Sequence, residues 1–167
     1  VLRQILNING AEVTLRRCLI SDNKVSLGSG NGVAFWNGPN AVTRMYDCVI
    51  SKHTSTGVGA VYNYEITAGN GTPSLYMMNC EVTGISNGSY GALYNRDGNC
   101  VLVNCTVHGN SAKTGAGVFC YGANGIMTMI SCTVTGNTGT TGAGGLASGS
   151  NAKVYVYANM GKGTEPA

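Results

Sequence analysis

Cysteine sets a period in this chain. Five of its cysteines sit in similar surroundings: "RRCLI" at Cys18, "YDCVI" at Cys48, "MNCEV" at Cys80, "VNCTV" at Cys105 and "ISCTV" at Cys132, spaced by 30, 32, 25 and 27 residues. Two positions after each stands a branched apolar residue, Ile20, Ile50, Val82, Val107 or Val134. Five and three positions before each stand the mostly apolar pairs Val13/Leu15, Thr43/Met45, Leu75/Met77, Cys100/Leu102 and Met127/Met129. A last segment, "KVYVYANMG", offers Val154/Val156, with Asn159 where a cysteine would fall. A further anchor precedes each pair. "VGAVYN" at residues 58–63 returns as "YGALYN" at residues 90–95, and Phe35, Val61, Leu93, Phe119 and Leu146 form one apolar column, with Ile5 in the same slot.

Each unit therefore reads as three short strands. The step of three from Leu15 to Cys18 breaks period-2 alternation, so a bend is expected there in every unit, at Arg16-Arg17, Tyr46-Asp47 or Val103-Asn104. Units of about 25–30 residues with three strands suit a coiled solenoid, whereas propeller blades need four strands in roughly 40–45 residues. The pattern predicts an all-β fold: a right-handed parallel β-helix of about six turns, in one domain over residues 1–167. Strands stacked about 4.8 Å apart would make a rod roughly 30 Å long, and no single unit could bury its apolar face alone. Composition agrees. Glycine is 26 of 167 residues, about twice its usual share, and charged residues are 10%, under half of theirs. Six Asn-Gly pairs supply turns.

At this point the chain resembles the polymorphic outer-membrane protein repeats of bacterial surface proteins. Gly59-Ala60-Val61, Gly91-Ala92-Leu93 and, more loosely, Gly144-Gly145-Leu146 are similar to the Gly-Gly-Ala-Ile motif of that family. Its Phe-x-x-Asn partner is matched by Ile20 with Asn23, Val107 with Asn110 and Val134 with Asn137, with His53 and Ile85 interrupting the asparagine column. The resemblance spans residues 5–161 and implies a right-handed β-helix and an extracellular or cell-surface location.

Three columns are candidates for function. Cys18, Cys48, Cys80, Cys105 and Cys132 are expected to stack as a ladder of buried thiols, since free cysteine behaves as a small apolar residue. No Cys-x-x-Cys occurs, so neither a metal nor another cofactor is expected. Trp36, Tyr62 and Tyr94 form a ring column, continued by Cys120 and Ala147. With Phe35, Val61 and Leu93 inward, alternation turns these rings outward, where their faces suit sugar rings. Asn37, Asn63 and Asn95 follow as an amide ladder at a corner. The carboxylates Glu12, Asp22, Asp47, Glu65, Glu81, Asp97 and Glu165 share no column, although hydrolysis of glycosides needs two of them facing each other. The best basic–acidic pairs on offer are Arg44 with Asp47 and Arg96 with Asp97, and Asp47 is expected beside Asn79. His53 and His108 read as isolated surface residues.

The net charge of +3 with no basic stripe argues against nucleic acid, and the apolar runs are far too short to span a membrane as helices. The opening "VLRQILNING" reads as strand rather than as an export signal. Without a capping helix the ends of the solenoid are expected to stack, on flanking turns of a longer chain or on another copy. The reading that follows is a non-enzymatic structural or adhesive module, fibre-forming or glycan-contacting. The alternative is a carbohydrate-active lyase or hydrolase with its site beside the insertions at residues 21–32 or 64–74.

Overall fold

The computed structural model describes residues 5–25, 34–64, 71–158 and 160–164. Both insertions fall largely outside them, as do Glu65, Asn159 and Glu165. The described chain winds as a parallel β-solenoid with three sheets. The first sheet stacks Ile5–Asn7, Phe35–Asn37, Val61–Tyr64, Leu93–Arg96, Val118–Tyr121 and Leu146–Gly149, each parallel to the next. The second stacks Glu12–Arg16, Val42–Tyr46, Ser74–Met78, Asn99–Val103, Ile126–Ile130 and Lys153–Tyr157 in the same sense. The third holds the Cys-x-Ile/Val strands from Leu19–Ser21 to Met160–Thr164. It also holds a set of two-residue strands such as Thr54–Ser55 and Ser86–Asn87, which merge with the main set in Thr133–Gly139. Six strands deep in its first two sheets, the coil makes about five turns, in keeping with the expected solenoid.

The core forms as the spacing requires. Leu75, Cys100 and Met127 are direct neighbours on successive strands, as are Met45, Met77, Leu102 and Met129. They join Phe35, Val61, Leu93, Ile50, Val82 and Val107 in one buried cluster. The bend after the second sheet is a left-handed residue in every turn. Arg17, Asp47, Asn79, Asn104, Ser131 and Ala158 all have φ between 49° and 54°. Asn and Asp tolerate this conformation best, which explains three of the six. A second left-handed column, Asp22, Lys52, Gly84, Gly109 and Gly136, turns the chain within the third sheet. The repeated glycines have a packing reason as well: a Cβ on Gly91 would lie 2.4 Å from the carbonyl oxygen of Gly115.

One register differs from the sequence expectation. Leu93 pairs with Val118, Tyr94 with Phe119 and Asn95 with Cys120. Val118 is thus the core residue, Phe119 belongs to the ring column, and Cys120 takes the place of asparagine.

Candidate functional surfaces

The asparagine column is a continuous buried chain of amides. Asn7 Nδ2 donates to Asn37 Oδ1 at 3.1 Å, Asn37 Nδ2 to Asn63 Oδ1 at 2.8 Å, and Asn63 Nδ2 to Asn95 Oδ1 at 2.7 Å. Each amide also donates to a carbonyl of the second sheet, as Asn63 does to Asn99 O at 2.9 Å. Asn95 then donates to Cys120 Sγ at 3.5 Å. The donors all point toward later turns, so the column has a direction. It ties the first corner together and is not open to a ligand: Asn37, Asn63 and Asn95 are fully buried.

The ring column corrects an expectation. Trp36, Tyr62, Tyr94 and Phe119 do point away from the core of the coil, but Tyr62 and Tyr94 are only 2% and 3% exposed. They form a second apolar cluster outside the first sheet. Ring centroids stand 6.5 Å apart for Trp36–Tyr62, 5.1 Å for Tyr62–Tyr94 and 5.2 Å for Tyr94–Phe119. Tyr90 closes over Tyr94 and Phe119, and Arg96 lies against the rings of Tyr64 and Tyr121. Burial pushes the Tyr62 and Tyr94 hydroxyls well above their ordinary pKa. Rings held this way cannot offer their faces to sugars. Of Trp36, Tyr62, Tyr94 and Phe119, only Trp36 keeps partial exposure.

The cysteines at the second bend are thiols, and none of the seven forms a disulfide. Cys18, Cys48, Cys80, Cys105 and Cys132 each donate to the carbonyl two residues earlier, at 3.2–3.4 Å. Hydrogen bonding to the Cys132 and Cys80 thiols, then burial, hold Cys105 well above the ordinary thiol range. Burial likewise raises Cys48, Cys100 and Cys120. Cys18, in the first turn, keeps intermediate exposure.

His53 is not a surface residue; it is fully buried. It occupies the column of Asn23, Asn110 and Asn137 and reproduces what asparagine does there. Asn110 Oδ1 accepts from Ile85 N–H at 2.9 Å while its Nδ2 donates to Val82 O at 3.1 Å. His53 Nδ1 accepts from Asn23 N–H at 3.0 Å, so Nε2 carries the hydrogen and donates to Ile20 O at 3.0 Å. A proton on Nδ1 would face the Asn23 N–H. Burial, which outweighs these backbone contacts and the nearby Asp22, holds the His53 pKa below 6.5. The folded state thus favours neutral imidazole. The associated stability is complete above the unfolded pKa near 6.5 and is lost as pH falls from there through the lowered folded value. Urea unfolding at pH 8 and pH 5 should show this loss. His53→Asn, which keeps both bonds and cannot titrate, should reduce it. Equal pH dependence in the two proteins would refute the assignment.

His108 is half-buried and not isolated: Nε2 lies 2.7 Å from Glu81 Oε1, and Nδ1 lies 3.4 Å from Thr83 Oγ1. Among the described residues, Glu12, Asp47 and Asp97 are held separately. Arg44 pairs with Glu12 at 2.9 Å rather than with Asp47. Asp47 accepts from Asn79 as the sequence suggests, and Asn79 in turn from Asn104. Asp97 lies 3.9 Å from Arg96.

One surface was missed by sequence reasoning. Of the ten large hydrophobic residues exposed among the described residues, Tyr76, Met78, Ile126, Ile130, Tyr155 and Tyr157 share the outer face of the second sheet. Val101 and Val103 lie between them in register. A shallow depression of about 190 Å³ sits among Arg44, Tyr46, Tyr76, Met78, Val101 and Val103. That is below the roughly 300 Å³ of an enclosing ligand pocket, so this face can grip a ligand only from one side. The signal was present in the sequence as the residues alternating with Leu75/Met77, Cys100/Leu102 and Met127/Met129.

A family model described as a right-handed β-helix region matches residues 3–160. No curated protein and no solved structure matches.

Proposed function

This chain belongs to the right-handed β-helix family, and from that premise we propose that it is a non-enzymatic extracellular or cell-surface module that contacts glycans through the outer face of its second sheet. The clustering of six exposed large hydrophobics on that face carries the reading. Tyr76, Tyr155 and Tyr157 are amphipathic rings able to stack on the C–H faces of sugars. Arg44, Thr14, Asn99 and Thr128 stand in the same face and supply hydrogen-bonding groups for hydroxyls. The face measures roughly 400 Å², from five residues by six strands. Two copies packed face to face would bury about 800 Å², short of the ~1,200 Å² of a stable interface. A repetitive polymer, held by many weak contacts, suits it better. The dispersed carboxylates favour binding over hydrolysis or elimination. The similarity to polymorphic outer-membrane protein repeats supports a surface location.

The test is a titration with soluble polysaccharides, using Tyr76→Ala and Tyr155→Ala as probes. Each variant should weaken binding at least tenfold, about 1.4 kcal/mol. Trp36, the sole tryptophan, lies on the first sheet, so its fluorescence should not change on binding. Quenching of Trp36 with no effect of the tyrosine variants would return the contact to the ring column. No binding to any glycan would reject the reading.

A further inference from the structure

On both edge turns some apolar side chains stay open among the described residues, and these open parts are complementary. Val13 and Leu15 at one end are only half-buried, while Thr43 and Met45 one turn in are fully buried. At the other end Val156 is 52% exposed, against 2% for Met129. Three of the four exposed hydrophobics that lie off the outer face, Leu6, Leu19 and Val156, are on these edge strands.

We propose that copies of this chain stack head to tail, the last turn of one seated on the first turn of the next, in the register that the chain uses between its own turns. This goes beyond the glycan reading and does not depend on it. Continuing the observed register sets Lys153 beside Glu12, Val154 beside Val13, Val156 beside Leu15 and Tyr157 beside Arg16. Each pairing is favourable. Lys153 and Glu12 are opposite charges. The valines extend the core. Tyr157 meets Arg16 as Tyr46 does within the chain, where the guanidinium stands 4.3 Å from the ring centroid. In the first sheet Leu146 comes over Ile5, and the exposed Ser148 comes over Asn7.

A two-fold, head-to-head arrangement fits less well: it reverses the winding and sets the first sheet against the third. Head-to-tail contact is heterologous and does not close, so it builds an open filament.

The experiment is light scattering across a micromolar-to-millimolar range without glycan, together with site-directed crosslinking. The weight-average mass should rise with concentration without a plateau. Val156→Lys, which sets a charge into the joint, should stay at monomer mass with an unchanged circular dichroism spectrum. The pair Thr14→Cys with Tyr155→Cys lies in one column across the joint, so oxidation should give a ladder of covalent multimers. The pair Thr14→Cys with Thr135→Cys, on different sheets, should not. A monomer at every concentration, a plateau at dimer mass, or equal crosslinking by both pairs would overturn the proposal. None of these outcomes bears on polysaccharide binding by the monomer.

Discussion

Asn63→Leu is expected to destabilise the protein by about 2 kcal/mol, from the buried Asn95 Oδ1 left without a donor, at roughly 1–3 kcal/mol. Leucine has the same branched side chain of four heavy atoms as asparagine, so packing is disturbed little. What it removes is the middle of the amide column. Asn95 Oδ1 and the Asn99 carbonyl lose the donor now at 2.7 and 2.9 Å, and Asn37 loses its acceptor. Asn37 keeps two carbonyls, Ala41 O and Ser74 O, so its Nδ2 is not abandoned. The thermal midpoint should fall by roughly 4–8 °C for a chain of this size. The exposed amides at the second bend supply the control. Asn79 also bridges two turns, from Asn104 to Asp47, but in water. Asn79→Ala should cost only about 1 kcal/mol, mostly from its left-handed backbone. Equal losses at positions 63 and 79 would show that burial does not set the worth of these bonds.

Tyr62→Ala should cost about 4 kcal/mol, as expected for deleting a buried aromatic ring. Tyr62 is among the largest fully buried side chains and lies between Trp36, Tyr64 and Tyr94 in the cluster outside the first sheet. Tyr62→Phe keeps the ring and removes only the hydroxyl, so it should cost about 1 kcal/mol. Trp36 reports the difference directly: its emission should shift to longer wavelength in the alanine variant and stay in place in the phenylalanine variant. A mild loss from Tyr62→Ala would mean that this cluster is loosely held. The ring column would then be a surface after all.

The parts of the fold that were legible in the sequence were those fixed by adjacent anchors. Cysteine stands at a constant offset from Leu15 or Met77 on one side and from Ile20 or Val82 on the other, so the second and third sheets could be aligned residue by residue. The first sheet lies across a connection of variable length, and its register rested on an apolar residue followed by a ring and an asparagine. In the turn of residues 118–121 both markers mislead. Phe119 resembles Phe35, which is core, and Cys120 hides the asparagine column. His53 was hidden by a chemical equivalence: imidazole can accept at one nitrogen and donate at the other as a carboxamide does, yet it is a different letter. The burial of Tyr62 and Tyr94 depends on how Val58 and Tyr90 fold over the outside of the sheet, which strand alternation does not encode. The outer face of the second sheet escaped for the opposite reason. Its residues are the alternate positions of well-recognised strands, and apolar residues there read as strand propensity rather than as a surface.

The left-handed residues at Arg17, Asp47, Asn79, Asn104, Ser131 and Ala158 have a consequence for how such a chain can change. Losing or gaining one residue within a strand would move this column out of line and turn every side chain beyond it to the wrong side. Length can vary freely only in the peripheral connections, where the spacing between cysteines already ranges from 25 to 32 residues. Otherwise the molecule can grow or shrink only by entire coils, so its height is quantised, and excision of one complete circuit should leave a shorter object with the same cross-section.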